Sequence, residues 1–474
     1  MIELKLESYV RPLDFSIPGC DNFKKPIIFY LVNQQDKRPF FLSFVIVDFT
    51  KKKLSYFFSY NEENVSIINK LPNNERFSMV RCPHSTICIN EDEDFLNFME
   101  EEEFFVYVNQ KKLIMNVYTI EDFVKDVQFR KFSSTFYKDD KDPNFFFMSI
   151  VDTGDMLHIF RMSLTLDSVE EINSFPSHPN PPHALRKYMH YLFLSHDFKY
   201  SRYELEKTGK IVNSEELGSI ILTTALRMIG AKKGFKSNQS TSLKSLTPEE
   251  VRELLSIMKT KYSVKCLPGK ILMLDLNTKQ KILYDTTGGS PAHFEIDTKD
   301  DTIYTSSHNF FLGKDTMTFL EPAVLDKFKM KDGKLELVGS FSYPKGFRYT
   351  SHRVFYYYNK PYLCTFGQPN RLLLVDANTM ELLSYHDIEQ DELSDKTDVC
   401  AYINSRRSEF EIVAMEVSEN GEIILFVGPQ YIYLFNFPER RLCGKIDYKA
   451  ADSSSMEKTL NEYKLRTVHL NYLD

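Results

Sequence analysis

Residues 412–446 decide the fold. Ile412–Val417 runs into Ser418-Glu419-Asn420-Gly421 and returns as Ile423–Val427; Tyr431-Ile432-Tyr433-Leu434-Phe435 follows, then Leu442-Cys443-Gly444-Lys445-Ile446. Each apolar run has strand length and ends on turn residues, and Asn-Gly supplies the positive φ of a tight reversal at little cost. Four short strands in about thirty-five residues match one blade of a β-propeller. Arg353–Tyr385 and Phe294–Phe341 read the same way.

The same grammar recurs outward from this stretch. Phe44-Val45-Ile46-Val47-Asp48 leads through Phe49–Lys53 into Leu54–Phe58. Ile271-Leu272-Met273-Leu274-Asp275 leads through Leu276–Gln280 into Lys281–Tyr284, and Leu372-Leu373-Leu374-Val375-Asp376 leads through Ala377–Glu381 into Leu382–Tyr385. In each, an apolar strand ends on Asp and a Thr-containing turn follows, whose side chains can bond to nearby backbone and hold the reversal. On this hairpin and this strand rhythm, residues 27–446 resemble the broad class of seven-bladed β-propellers with YVTN-type and quinoprotein-like repeats. There is no WD dipeptide and no fixed signature of a named subfamily. The resemblance implies a closed ring of seven blades, with six or eight also compatible, and is silent on function because one fold hosts many chemistries.

Bulk composition agrees with an all-β ring. A chain of 474 residues exceeds one ordinary core, so a single domain over residues 1–474 is expected only as a ring of repeats. The 39 Phe and 27 Tyr suit half-buried strands. A net charge of −7 provides no basic field for nucleic acid. Seven cysteines, odd in number and scattered, read as reduced thiols of a cytoplasmic protein. Met1–Glu7 alternates apolar and charged residues, as a strand does and a signal peptide does not. No apolar run approaches the roughly eighteen residues of a membrane span.

Three stretches break the rhythm. Residues 213–265 read as a helical insertion: Ser214-Glu215-Glu216-Leu217 leads into Ile220–Leu222, and Thr247, Pro248 and Glu250 make a capping box. Such an insertion is placed to act as a lid over one mouth of the ring. Residues 86–140, with acidic runs at 91–94 and 100–103, read as an irregular solvated region. Residues 447–474 read as a C-terminal tail holding a short helix (Ser453–Lys464) and a closing strand (Thr467–Leu473).

Histidine supplies the candidate chemistry. Ser195-His196-Asp197-Phe198 and Ser307-His308-Asn309-Phe310 each close a strand pattern, and each follows an upstream histidine, His183 or His293, in a Pro-containing lead-in. His352 opens a third such segment. In blade topology the start of one strand and the end of its antiparallel partner lie at the same face, which would gather all five histidines at one mouth. Imidazole is the commonest transition-metal ligand, so the set is read as a metal site, Fe(II) favoured over Cu or Zn, with Asp197, Glu295 and Asp297 as outer-shell acceptors. In this pattern alone the chain resembles carotenoid-cleavage-type oxygenases, a family whose propeller axis holds iron with four histidines. The resemblance implies an oxidoreductase acting on a small organic substrate. Arg353 is read as binding an anionic substrate or pairing with a carboxylate of a neighbouring blade.

Other chemistries lack their residues. Gly288-Gly289-Ser290-Pro291 has no following Lys or helix and is no phosphate loop; there is no nucleotide-cofactor fingerprint and no Gly-x-Ser-x-Gly elbow. Two alternatives to the metalloenzyme stand. One is a binding or scaffold protein that presents its loops to a protein partner, with the histidines serving blade structure. The other is a metal-free hydrolase or lyase using one histidine as general base.

Overall fold

The chain is all-β. The computed structural model describes it except for residues 14–18, 34–42, 60, 71–84, 89–93, 100–103, 125–127, 140, 177–183, 197–201, 214–215, 218, 222, 225–226, 228–248, 250–252, 254–255, 257–262, 309–321, 345–347, 369–370, 389–413, 429–430, 449–464 and 469–474. Every strand pair in it is antiparallel.

Among the described residues the strands form eight sheets, seven of them in chain order. The first two strands, β1 (Ile2–Lys5) and β2 (Glu7–Pro12), are outer additions to the first two sheets. Sheet 1 holds β3 (Ile27–Asn33), β4 (Ser43–Asp48) and β5 (Lys53–Phe58), with β2 beyond β5. After helix α1 (Glu62–Asn69), sheet 2 holds β6 (Ser85–Cys88), β7 (Phe95–Met99), β8 (Phe104–Asn109) and β9 (Ile114–Thr119), with β1 beyond β9. Sheet 3 is β10 (Phe129–Lys138), β11 (Phe145–Asp152), β12 (Met156–Ser163) and β13 (Val169–Pro176). The region read as irregular, residues 86–140, is therefore corrected to ordered strands of sheets 2 and 3. Its charged runs at 91–93 and 100–103 lie outside the described residues.

Sheet 4 begins with β14 (Leu185–Tyr188) and β15 (Tyr191–His196). The chain then leaves it for a small accessory sheet of β16 (Arg202–Leu205), β17 (Lys210–Asn213) and β18 (Val264–Cys266), before returning as β19 (Lys270–Asp275) and β20 (Lys281–Asp285). The insertion thus starts at a β-hairpin, earlier than the residue 213 expected from sequence. Described residues between 216 and 256 are helical, and Asn213 caps the first turn: its Oδ1 accepts from the Glu216 amide at 2.8 Å, and Glu216 accepts from the Asn213 amide at 3.2 Å. The expected cap at Thr247 and Pro248 lies outside the described residues.

Sheets 5, 6 and 7 match the sequence reading. Sheet 5 is β21 (Ser290–Asp297), β22 (Thr302–His308), β23 (Val324–Lys331) and β24 (Lys334–Ser342). Sheet 6 is β25 (Arg348–Tyr357), β26 (Lys360–Gln368), β27 (Arg371–Asp376) and β28 (Glu381–Asp387). Sheet 7 is β29 (Ala414–Val417), β30 (Ile423–Val427), β31 (Tyr431–Asn436) and β32 (Arg441–Asp447). The last strand, β33 (Leu465–Val468), returns to sheet 1 and pairs with β3 from Tyr30↔Val468 to Asn33↔Leu465. A closing strand was expected in this tail; it falls two residues earlier than the sequence placed it. The tail helix expected at 453–464 lies outside the described residues.

The aspartate turns hold as the sequence implied. Asp48 accepts from Thr50 Oγ1 at 2.7 Å and from the Lys51 amide at 2.9 Å. Asp275 accepts from the amides of Asn277 and Thr278, and Asp376 from those of Asn378 and Thr379, at 2.8–3.2 Å. Gly421 has φ of +72°, and a β-carbon there would lie 2.3 Å from the Tyr356 carbonyl oxygen, so only glycine lets this turn of sheet 7 meet sheet 6.

Burial explains why the sheets stack. The middle strands β19, β27, β30 and β31 are buried at nearly every position, on both faces. The fourth strands β20, β28 and β32 are mostly exposed. A sheet buried on both faces needs a neighbour on each side. Apolar clusters supply them: sheet 2 packs on 3, 3 on 4, 4 on 5, 5 on 6 and 6 on 7. Phe29, Val45 and Tyr56 of sheet 1 pack with Leu425, Val427 and Leu434 of sheet 7. Asn64 of α1 joins sheets 1 and 2, accepting from the Lys5 amide at 3.0 Å and donating to its carbonyl at 2.7 Å. The leading strands lie side by side, β6 by β10, β10 by β14, β14 by β21, β21 by β25, and β25 by β29.

Removing residues 465–474 should strip β3 of its partner β33 and leave an open edge on sheet 1. The expected result is a fall in Tm of at least about 5 °C, or loss of cooperative melting. An unchanged melting curve by circular dichroism would show that β33 is dispensable.

Candidate functional site

The leading strands carry the residues singled out from sequence. In β21, His293 faces Ser306 across the pair and Glu295 faces Tyr304; a bulge at Ala292 precedes them. In β25, His352 is paired with Thr365 and Arg353 with Cys364. His196 ends β15 opposite Lys270, and His308 ends β22 opposite Ser290; the side chains of both are outside the described set. His183 and Asp197 lie outside the described residues.

His352 is buried between sheets 5 and 6, with 1% of its surface exposed, rather than open at a mouth. Its Nδ1 is 2.6 Å from Ser306 Oγ, across the sheet boundary. Its Nε2 is buried with no hydrogen bond, and the His293 ring stands edge-on with centroids 6.5 Å apart. Burial, reinforced by the Arg353 charge, pushes its pKa from 6.5 down to about 3, against a weaker pull from the Tyr304 backbone. The ring is therefore neutral at physiological pH. Of the five histidines, the structure brings together His293 and His352.

Arg353 reaches carboxylates on both neighbouring sheets. Its Nη2 donates to Glu416 of β29 at 2.9 Å, and its Nη1 lies 3.6 Å from Glu295 of β21. Of the two roles read for Arg353, pairing with a neighbouring carboxylate is the one seen. Glu295 and Asp297, read as acceptors for metal-bound imidazoles, have other partners: Glu295 faces Arg353, and Asp297 accepts from Tyr356 Oη at 2.6 Å. The Cys364 thiol behind Arg353 is driven upward by burial, which makes it a poor nucleophile.

Further polar ties, within and between sheets, escaped the sequence reading. Lys187 of β14 meets Asp139 at 2.7 Å, both nearly buried, and Arg161 meets Asp139 and Asp142 at 3.3 and 2.9 Å. Tyr188 donates to Asp301, and Lys327 donates to the Ala377 carbonyl at 2.7 Å. His158 sits between Asp152 and Glu171 at 3.2 and 2.9 Å. The available signal was a charge on an otherwise apolar strand, as in Glu416 between Met415 and Val417.

Among the described residues, no three His, Cys, Asp or Glu side chains gather as a metal site. Among them, too, no helix is long and apolar enough to cross a membrane, and Cys20, Cys266, Cys364 and Cys443 are free thiols. No family model and no curated protein matches the chain.

Two measurements check this site. Arg353→Met leaves two facing carboxylates without their cation and should cost about 2–4 kcal/mol in urea unfolding; a loss near zero would show that the bridge is unimportant. His352 has a depressed folded-state pKa, so the unfolded chain takes up its proton first as pH falls. Its contribution is full above the unfolded value of about 6.5 and declines as pH falls toward 3, by up to about 1.4 kcal/mol per pH unit. His352→Gln should flatten the stability–pH curve between about pH 6 and 4. A curve of unchanged slope would assign the titration elsewhere.

Proposed function

We propose that sheets 1–7 are the blades of one closed seven-bladed β-propeller that works as a binding platform, with the β15–β19 insertion projecting from its fourth blade. Support for the ring comes from the order of packing: sheets 2 to 7 each share an apolar cluster with the next, sheet 1, completed by β33, packs on sheet 7, and Asn64 of α1 links β1 of sheet 2 to Ser59 beside β5. The platform role rests on one observation. The charged groups Glu295, Arg353, Glu416 and Lys187 on the leading strands are spent on ion pairs between sheets. Rigid rings of this kind present their connecting loops to a protein partner.

A second reading is a metal-dependent oxidoreductase acting on a small organic substrate, with Fe(II) as the favoured metal. His352 favours it: Nδ1 engaged by a hydroxyl and an unbonded Nε2 form the arrangement of a ligating imidazole, and His293 stands beside it. In this reading His183, His196 and His308 complete the ligand set and the insertion closes over it.

Elemental analysis separates the two. After anaerobic loading with Fe(II), Cu or Zn and desalting, the platform reading expects less than about a tenth of an equivalent of metal. Stoichiometric metal that is lost in His293→Ala and His352→Gln, and kept in His386→Ala, would overturn it in favour of the metal centre.

A further inference from the structure

Register places Glu295, Arg353 and Glu416 at one level. In the fourth strand of sheets 3, 5, 6 and 7 the pairing slips at an equivalent point, after Ile159, Lys327, Leu374 and Leu434 of the third strand. Each slip serves as a ruler. From Lys327 the pairing runs through Tyr304 to Glu295; from Leu374 through Cys364 to Arg353; from Leu434 through Leu425 to Glu416. Sheet 4 has no slip, but Met273 and Leu374 both stand two residues before the turn aspartates, Asp275 and Asp376. From Met273 the pairing runs through Phe193 to Arg186. From Ile159 of sheet 3 it ends at the uncharged Thr135.

We infer that Arg186, Glu295, Arg353 and Glu416 form a girdle of alternating charge at one level of four successive leading strands, and that this alternation specifies which sheet sits beside which. The inference rests on the ring proposed above for its circular setting, but the register and the Arg353 contacts stand without it. Arg353 meets both carboxylates across sheet boundaries. The positive charges of Arg353 and Arg186 both act on His352, as expected for residues at neighbouring heights. Arg186 also lies 4.9 Å over the Tyr137 ring of sheet 3, where the girdle meets an aromatic face instead of a carboxylate. At 11–28% side-chain exposure for the Arg353 triad, these charges are screened much less than surface pairs. A misplaced sheet would set like charges together, a penalty that the correct order avoids.

A double-mutant cycle tests the membership of Arg186. The urea midpoint is measured for Arg186→Gln, Glu295→Gln and both together, with Arg186→Gln plus Glu416→Gln as the non-neighbouring control. Neutral substitutions keep the variants foldable. The neighbouring pair should lose clearly less than the sum of its single losses, because the direct attraction between the two groups can be lost only once, whereas the control pair, two sheets further apart, should be additive. Additive losses in the neighbouring pair, or equal coupling in both pairs, would overturn the girdle. Failure of the ring itself would leave this coupling intact, because Arg186 and Glu295 stand on sheets 4 and 5, which pack together whether or not sheet 1 meets sheet 7.

Discussion

A four-stranded antiparallel sheet that is apolar on both faces cannot stand alone in water, and this constraint governs the whole chain. The middle strands β27, β30 and β31 bury adjacent residues, not alternate ones. Each buried Leu or Phe contributes about 1.5–3 kcal/mol only while a neighbouring sheet covers it. The stacking of sheet upon sheet follows from that pattern, as does the need for the first sheet to meet the last. The fourth strands escape the demand by being exposed, and the slips in β13, β24, β28 and β32 twist these free edges, which discourages pairing with another chain.

Polar ties reinforce the apolar packing between consecutive sheets. Tyr356–Asp297, Lys327–Ala377, Lys187–Asp139 and the Arg353 bridge all cross a boundary between consecutive sheets. Dispersion alone tolerates small rotations of one sheet on another, whereas a charged hydrogen bond has a fixed length and direction. The polar ties thus supply angular definition to interfaces that the apolar clusters supply with most of their free energy. His352 shares in this through Ser306, and its burial keeps it neutral.

Local chemistry made much of the fold legible. The Asp-turn hairpins, the Asn420-Gly421 reversal and the four-strand rhythm of sheets 5–7 are set by neighbours in sequence, and they stand where the sequence placed them. Sheet 2 was illegible because its strands are short and separated by acidic connections that carry no turn signature. The β16–β17 hairpin was missed because Leu205-Glu206-Lys207-Thr208-Gly209 reads as a loop leading into helix. For the site, blade topology led to the expectation that five histidines gather at one mouth; His293 and His352 do approach, but topology gave no depth. Whether a side chain on a leading strand is open or sealed between sheets depends on partners a whole sheet away in sequence, as His352 depends on Ser306, 46 residues earlier. Glu416 is the clearest case: nothing near it in sequence points to Arg353.

The pairing of β3 with β33 has a consequence for biosynthesis. Asn33 waits for Leu465, roughly 430 residues downstream, which at typical elongation rates is a delay of about 20–90 s. Throughout that interval the earliest-made sheet carries a bare edge and an apolar flank destined for the last-made sheet. The nascent chain therefore keeps an open edge for strand addition until Leu465–Val468 has been made. Its yield in the cell should depend on chaperone capacity and on growth temperature more steeply than the finished fold's own stability would imply.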